Sequence, residues 1–398
     1  MQDTPVRARR ALLVLAAGAF AVGTDAFVIA GILPAVAHGV GVSVNWAGAL
    51  MTGFALTYAV AAPVLSVTFS RLPRRGLLVA ALAGFTVANA LAAMAPSFAL
   101  LMVARVVAAL AAALFTPTAS ALAAELAPAG QRGRALAAIA IGLTTAQVVG
   151  VPLGSLAGSL LGWRASFVAV AVLGGAAAIG TRAALHPVGP SASASPLAAR
   201  VRLAGSRSVW PVLAQTTAAT TAGFAVLTYI APVVHAAAGL SGTSISVVLA
   251  GFGAASALGS ALGGRCTDRR GSLPVAAAAL LALTVSLVGL AAATGYRAGP
   301  VSLVFIAAWG MAGWAFIPAQ QHRLLSAAPR QATVLLGLNS SAIYLGATLG
   351  SILGAVTLAI SPGATVSAAS AIAAAAAVTV AARAARQQAA AAPHDSDA

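Results

Sequence analysis

The sequence has no lysine, one cysteine and six acidic residues in 398 positions. Each scarcity excludes something. Cys266 alone forms no intramolecular disulfide and no cysteine-based metal cluster. Charged residues are only 7% of the chain, against ~25% in soluble domains, so a soluble globular fold is excluded. No Ser/His/Asp grouping, carboxylate pair or phosphate-binding loop is present, which argues against an enzyme and against an ATP-driven pump. His38, His235 and His322 have no metal-ligand spacing, and no cofactor is implied. The net charge of +16 does not point to nucleic acid, because the basic residues form no block interleaved with aromatics.

What remains is apolar. Hydrophobic residues are 60% of the chain and its mean hydropathy is +0.97. About 20 such residues cross ~30 Å of hydrocarbon as a helix. Long unalternated runs predict helices rather than barrel strands, near 11–33, 46–69, 76–95, 98–124, 135–161, 165–185, 209–236, 245–264, 272–293, 300–326, 333–358 and 364–385. A signal peptide over the first run is rejected because the run is long and further spans follow at once. The arginines fix an orientation. Nineteen of the 22 fall on one side if the N-terminus is cytoplasmic, leaving Arg164 and Arg297 outside and Arg105 within a span. Both termini are therefore expected in the cytoplasm.

A Pro-, Ser- and Gly-rich stretch from His186, followed by Arg200, Arg202 and Arg207, reads as a flexible linker. It divides the chain into 1–185, a linker 186–208, and 209–398. The halves resemble each other. Arg74-Arg75-Gly76 recurs as Arg269-Arg270-Gly271, and Phe115-Thr116-Pro117 as Phe316-Ile317-Pro318. Gly150, Gly154, Ser155 and Gly158 recur as Gly346, Gly350, Ser351 and Gly354. The expected fold is all-α, with twelve transmembrane helices in two pseudo-symmetric six-helix bundles and a site at their interface.

Of the six acidic residues, only Asp25 lies deep in a span; the others fall in tails, loops or at a helix end. A carboxylate there costs ~2.5 kcal/mol or more. Counting along each helix places Asp25 and Arg105 at similar depth. An ion pair there favours the charged carboxylate, and burial without a partner favours the protonated one. The readings are proton coupling at Asp25 modulated by Arg105, a fixed structural ion pair, or an Asp25 merely hydrogen-bonded to helix ends. Pro152 among the span-five glycines permits a bend, and the glycines permit close packing. Mid-span polar and aromatic residues are candidates for a substrate cavity: Tyr58, Asn89, Gln147, Gln215, Tyr229, Trp309, Trp314, Asn339 and Tyr344. Each is also a candidate for helix glue.

Several motifs resemble one family. The stretch 264–271 (GRCTDRRG) is similar to the cytoplasmic loop motif of the major facilitator superfamily, 101–107 (LMVARVV) to its span-four arginine motif, and Gly142 with 150–154 (GVPLG) to its exporter motif in span five. The stretch 23–34 (GTDAFVIAGILP) is similar to the first span of bacterial chloramphenicol exporters and of sugar or purine efflux permeases. The resemblance implies a twelve-span drug:proton antiporter of the bacterial inner membrane, acting as a monomer on a small neutral or weakly polar molecule. Its partners would be that substrate, protons and the lipid bilayer. Efflux of a sugar or nucleoside is the alternative, and a non-transporting receptor a weaker one. Arg71, Arg74, Arg75, Gly142, Gly150, Pro152, Gly154, Asp268 and Arg269 are the gating residues it implies. The first-half loop departs from the pattern, with Ser66 and Ser70 where the motif has Gly and Asp, so a gate ion pair is expected at Asp268 instead.

Overall fold

The computed structural model describes residues 4–69, 71–126, 132–186, 197–328 and 331–391. Asp3, Ser70, Arg330, Asp395, Asp397 and the linker stretch 187–196 lie outside the described residues. Among the described residues every regular element is helical. Lipid offers the backbone no hydrogen bonds, so each apolar segment closes its own.

The first half comprises α1 (Thr4–Gly39), α2 (Val44–Ala47), α3 (Ala49–Thr68), α4 (Arg74–Met94), α5 (Phe98–Leu126), α6 (Arg132–Thr145), a π turn (Ala146–Gly150), α7 (Val151–Leu161) and α8 (Trp163–Ala184). A short helix α9 (Leu197–Ala204) follows. The second half comprises α10 (Trp210–Leu227), α11 (Ile230–Ala238), α12 (Thr243–Arg270), α13 (Ser272–Tyr296), α14 (Gly299–Ala327), α15 (Ala332–Leu358) and α16 (Pro362–Ala391). Among the described residues, eleven spans are long and apolar enough to cross a membrane, and the pair α10 and α11, bent by 60°, makes a twelfth if it is one span.

Three local features differ from the sequence expectation. The seventh span is broken at Thr228 and Tyr229 rather than continuous. The fifth holds a π turn just before Pro152, which lacks the N–H that would bond the Val148 carbonyl. Within the expected linker 186–208, whose Pro- and Ser-rich part 187–196 lies outside the described residues, Leu197–Ala204 forms a helix. Two connections need almost no loop because a glycine takes a left-handed conformation: Gly162 at φ +89° before α8, and Gly271 at φ +83° before α13.

The two halves pack by the same rule. In the first, α4 lies on α5 and α8, α1 on α6 and α7, and α3 on α5. In the second, α13 lies on α14 and α16, α10 on α15, and α12 on α14. The repeated glycines make the equivalent contacts. Gly150 and Gly154 face Thr24 and Val28 of α1, and Gly346 and Gly350 face Thr220 and Thr221 of α10. Between the halves, α3 meets α15, and α12 meets α7 and the π turn. We call the end where α1 begins the terminal end, and the other the distal end.

In lipid, helix association depends on packing rather than water exclusion. The α12–α14 contact shows how close that packing is: a carbon added at Gly259 would stand 2.0 Å from the Met311 carbonyl oxygen. Gly259→Val is expected to cost about 1–3 kcal/mol and to lower the midpoint of thermal unfolding in detergent. Gly264→Val, whose added carbon meets nothing within 4 Å, is expected to leave the midpoint in place. Equal shifts for the two would contradict this packing.

Candidate functional site

Asp25 of α1 and Arg105 of α5 meet at the core of the first bundle. Arg105 Nη1 donates to Asp25 Oδ1 at 2.6 Å, and Nη2 to the Asp25 carbonyl oxygen at 3.3 Å. Both residues are fully buried. The guanidinium also lies over the Phe54 ring, 4.3 Å from its centroid, so α3 contributes a face to the cation. Asp25 Oδ2 and Arg105 Nε take no hydrogen bond. A buried pair left half-satisfied is costly, because in a low dielectric each unmet polar atom forfeits its solvation. Such atoms are where a proton or a hydrogen-bonding ligand has most to offer. Asn89 of α4 stands beside the carboxylate, with its amide nitrogen donating to the Phe85 carbonyl at 3.1 Å.

The opposite bundle brings Tyr344 beside this pair. Tyr344 of α15 stacks on Tyr58 of α3, centroids 3.8 Å apart and planes 25° from parallel, and lies 6.4 Å from Phe54. Gln147 and Trp314 border a central void of about 20 Å³ between the bundles, with Phe27 and Phe252. That void is too small for an organic ligand. A larger cavity, about 680 Å³, opens at the distal end among Pro34, Gly158, Trp163, Pro232, His235 and Ile245. It lies beyond Asp25 along α1.

Other sequence candidates fall elsewhere. Trp309 packs on Phe252 at 4.6 Å in the second bundle's core. Tyr229 sits at the break of the seventh span, its hydroxyl donating to the Asn45 carbonyl at 3.4 Å and the Ser351 carbonyl at 3.3 Å. With the Ser246–Ser155 hydroxyl contact at 3.0 Å and the Phe27–Phe224 stack at 5.7 Å, it ties the bundles together toward the distal end. Gln215 and Asn339 belong to a separate polar cluster near the terminal end. There Arg323 Nη1 donates to Gln215 Oε1 at 2.7 Å and Gln320 Oε1 at 2.6 Å, while Thr216 donates to Asn339 Oδ1 at 3.4 Å. Arg323 lies in the last turns of α14.

The loop residues also resolve differently from expectation. Asp268 and Arg269 are exposed at the end of α12, and among the described residues Asp268 makes no ion pair. The ties at the terminal end come from the first half. Arg74 pairs with Glu125 at 2.8 Å, and Arg75 donates to the Arg182 carbonyl at 2.7 Å. Arg71 is exposed. Arg200 of α9 donates to Ser66 Oγ at 2.7 Å, and half-burial holds its guanidinium below the ordinary arginine pKa. Gly142, Gly150 and Gly154 pack inside the first bundle against α1, and Pro152 is buried beside them.

Sequence reasoning did not single out Phe54, Gln320, Arg323 or the Ser155–Ser246 contact. Gln320 and Arg323 stand three apart on one helix face, a spacing that marks side chains able to share a site. Nothing in the sequence marks Ser155 and Ser246 as partners. Among the described residues no three His, Cys, Asp or Glu gather as metal ligands.

Residues 15–351 match the family model of the Major Facilitator Superfamily. A chloramphenicol resistance protein of Streptomyces lividans is 39% identical over 358 residues, covering 88% of this chain and 90% of that protein. The inner membrane transport protein YdhP of Escherichia coli (strain K12) is 31% identical, covering 88% and 90%. Among solved structures, a D-xylose-proton symporter aligns with a TM-score of 0.76 at 17% identity, covering 93% of this chain and 96% of its own. A bacterial homologue of the human lysosomal transporter Spinster aligns at 0.71 and 19% identity, covering 94% of each. These two likenesses concern the fold.

The geometry of the pair generates a stability prediction. Arg105→Gln leaves a buried carboxylate without its cation and is expected to cost about 3–5 kcal/mol. The double variant Asp25→Asn/Arg105→Gln is expected to recover most of that loss, read as the unfolding midpoint in detergent at neutral pH. Equal losses in the single and double variants would contradict an ion pair at this place.

Proposed function

The chain belongs to the Major Facilitator Superfamily, and from that premise we propose that it exports a small, neutral or weakly polar organic molecule in exchange for protons. The chemistry favoured is that of chloramphenicol, named in the Streptomyces lividans relative at 39% identity. The observation that carries the coupling is the Asp25–Arg105 contact, the one ion pair with both partners buried among the described residues.

The mechanism follows from competition at one carboxylate. While Arg105 holds Asp25, the charged form is favoured; a proton on Asp25 releases the guanidinium. Arginine keeps its charge, so it orients and neutralises rather than relaying protons. If access alternates between the two ends, a proton loads Asp25 from one side and leaves toward the other as substrate returns. The moving units are residues 1–185 and 209–398, joined by 186–208, with the terminal end toward the cytoplasm of a bacterial inner membrane. The protein works as a monomer in this reading, since each chain carries both bundles and one pair. Gln147, Trp314, Tyr58 and Tyr344 are the candidate substrate contacts at the bundle interface, with Asn89 behind them beside the carboxylate. Gln215 and Asn339 instead organise the terminal end of the second bundle.

Inverted membrane vesicles energised by respiration and loaded with a pH-sensitive dye provide the test. Adding chloramphenicol is expected to dissipate part of the proton gradient with the intact chain. Asp25→Asn is expected to reduce that response to the level of vesicles lacking the protein, and Asp25→Glu to keep a fraction of it. A full response from Asp25→Asn would contradict proton coupling at this residue.

A further inference from the structure

The second bundle holds a cation that the transport cycle above does not use. Arg323, near the end of α14, is partly buried, and its Nη1 donates to two neutral acceptors, Gln215 Oε1 at 2.7 Å and Gln320 Oε1 at 2.6 Å. Its Nη2 and Nε make no hydrogen bond among the described residues, and they keep some accessible surface. No described carboxylate pairs with it. Asp25 is held by Arg105 and Glu125 by Arg74, and among the described residues Asp268 makes no ion pair. The charge within electrostatic reach of Arg323 has its own sign: Arg383 of α16.

The fold itself does not require this cluster. The repeat that aligns Phe115-Thr116-Pro117 with Phe316-Ile317-Pro318 sets Ala119 and Leu122 opposite Gln320 and Arg323. Ala119 and Leu122 are fully buried, so the first bundle closes the same place with apolar contacts alone. Two guanidiniums facing each other repel, and an anion between them reverses the sign of the interaction.

The cluster also has a definite depth and a way in. Trp210, exposed at the start of α10, stands where tryptophan meets lipid headgroups, and Gln215 lies ~7.5 Å further along that helix. Arg323 is ~6 Å from the end of α14, and Arg383 closes the apolar stretch of α16. These positions coincide with the level of lipid phosphates. Thr379 and Arg383 are both exposed and stand four apart on one face of α16, with Thr379 Oγ1 accepting from the Gln215 amide at 3.5 Å. The arginines are therefore reached from the side, past α16.

We propose that Arg323 and Arg383, with Thr379 at their edge, bind the phosphate of an anionic phospholipid at the terminal end of the second bundle, between α10, α14 and α16. Nη2 and Nε of Arg323 offer the planar fork that two phosphate oxygens accept, and Arg383 meets the same group from the rim. Basic pockets between membrane helices at headgroup level recognise such phosphates. A soluble phosphate has the same chemistry but lacks the acyl chains that would lie along exposed Val378. This site is independent of the export reading.

The test is native mass spectrometry of the full chain, released from detergent that carries equal amounts of phosphatidylglycerol and phosphatidylcholine of the same chain length. The intact chain is expected to retain phosphatidylglycerol in preference. Arg323→Gln and Arg383→Gln are each expected to reduce that preference about five-fold. Arg270→Gln, at the exposed end of α12, removes the same charge elsewhere and is expected to leave the preference in place. Arg383 is exposed, so its variant decides the matter if Arg323→Gln does not fold. No preference in the intact chain, or equal reductions for Arg270→Gln and Arg383→Gln, would overturn the site. Millimolar inorganic phosphate separates the two sources, read as the unfolding midpoint in detergent. Protection by phosphatidylglycerol without protection by phosphate supports the lipid, and equal protection overturns it in favour of a soluble ligand.

Discussion

A carboxylate and a guanidinium buried together inside an apolar bundle set the terms for everything around them. Asp25 and Arg105 are fully buried, 2.6 Å apart, on helices far separated in sequence. Either charge alone at that depth is costly, so α1 and α5 must stay registered for the bundle to be stable. The registration has its own support. Pro152 follows a π turn in the fifth span, and Gly150 and Gly154 bring that span against α1 next to Asp25. Phe54 covers one face of the cation. The pair is less a local feature than the reason the first bundle holds its particular arrangement.

The second bundle repeats the packing without repeating the charge. Its glycines approach α10 as those of the first approach α1, yet its polar centre is an arginine held by two glutamine oxygens near the terminal end. This division gives the halves different work. The first carries the group able to exchange a proton, and the second presents Tyr344 to it across the interface. Ties between the halves toward the distal end, through Tyr229 and Ser246, are hydrogen bonds between neutral groups, which can be broken without exposing a buried charge.

Much of this was legible in the sequence, for physical reasons that can be named. Apolar runs of bilayer length have one hydrogen-bonding solution, so the spans were readable. The common offset of Arg74-Arg75, Phe115 and Gly150 with their second-half copies gave the repeat, and the packing follows it. Asp25 stood out because a carboxylate within an apolar span is rare, and depth counting brought Arg105 to the same level. Other features depended on three-dimensional neighbours that no local pattern encodes. Tyr229 read as a cavity residue but marks a helix break, the one of these features with a local cause, since Pro232 in the first turn of α11 has no N–H for the Thr228 carbonyl. Asp268 fitted a motif, yet among the described residues it makes no ion pair, and Arg200 reaches Ser66 instead. Phe54 was one phenylalanine among 12, distinguished only by what lies over it.

The central claim is that substrate and proton are alternatives at Asp25. Binding linkage is reciprocal, so a substrate that favours the charged carboxylate must expel a proton when it binds. Proton release from the purified chain in weakly buffered detergent solution, on addition of chloramphenicol, measures this without membranes or gradients. The account predicts release from the intact chain and none from Asp25→Asn, even where that variant still binds the drug. Binding to the intact chain without proton release, or release that survives Asp25→Asn, would contradict it.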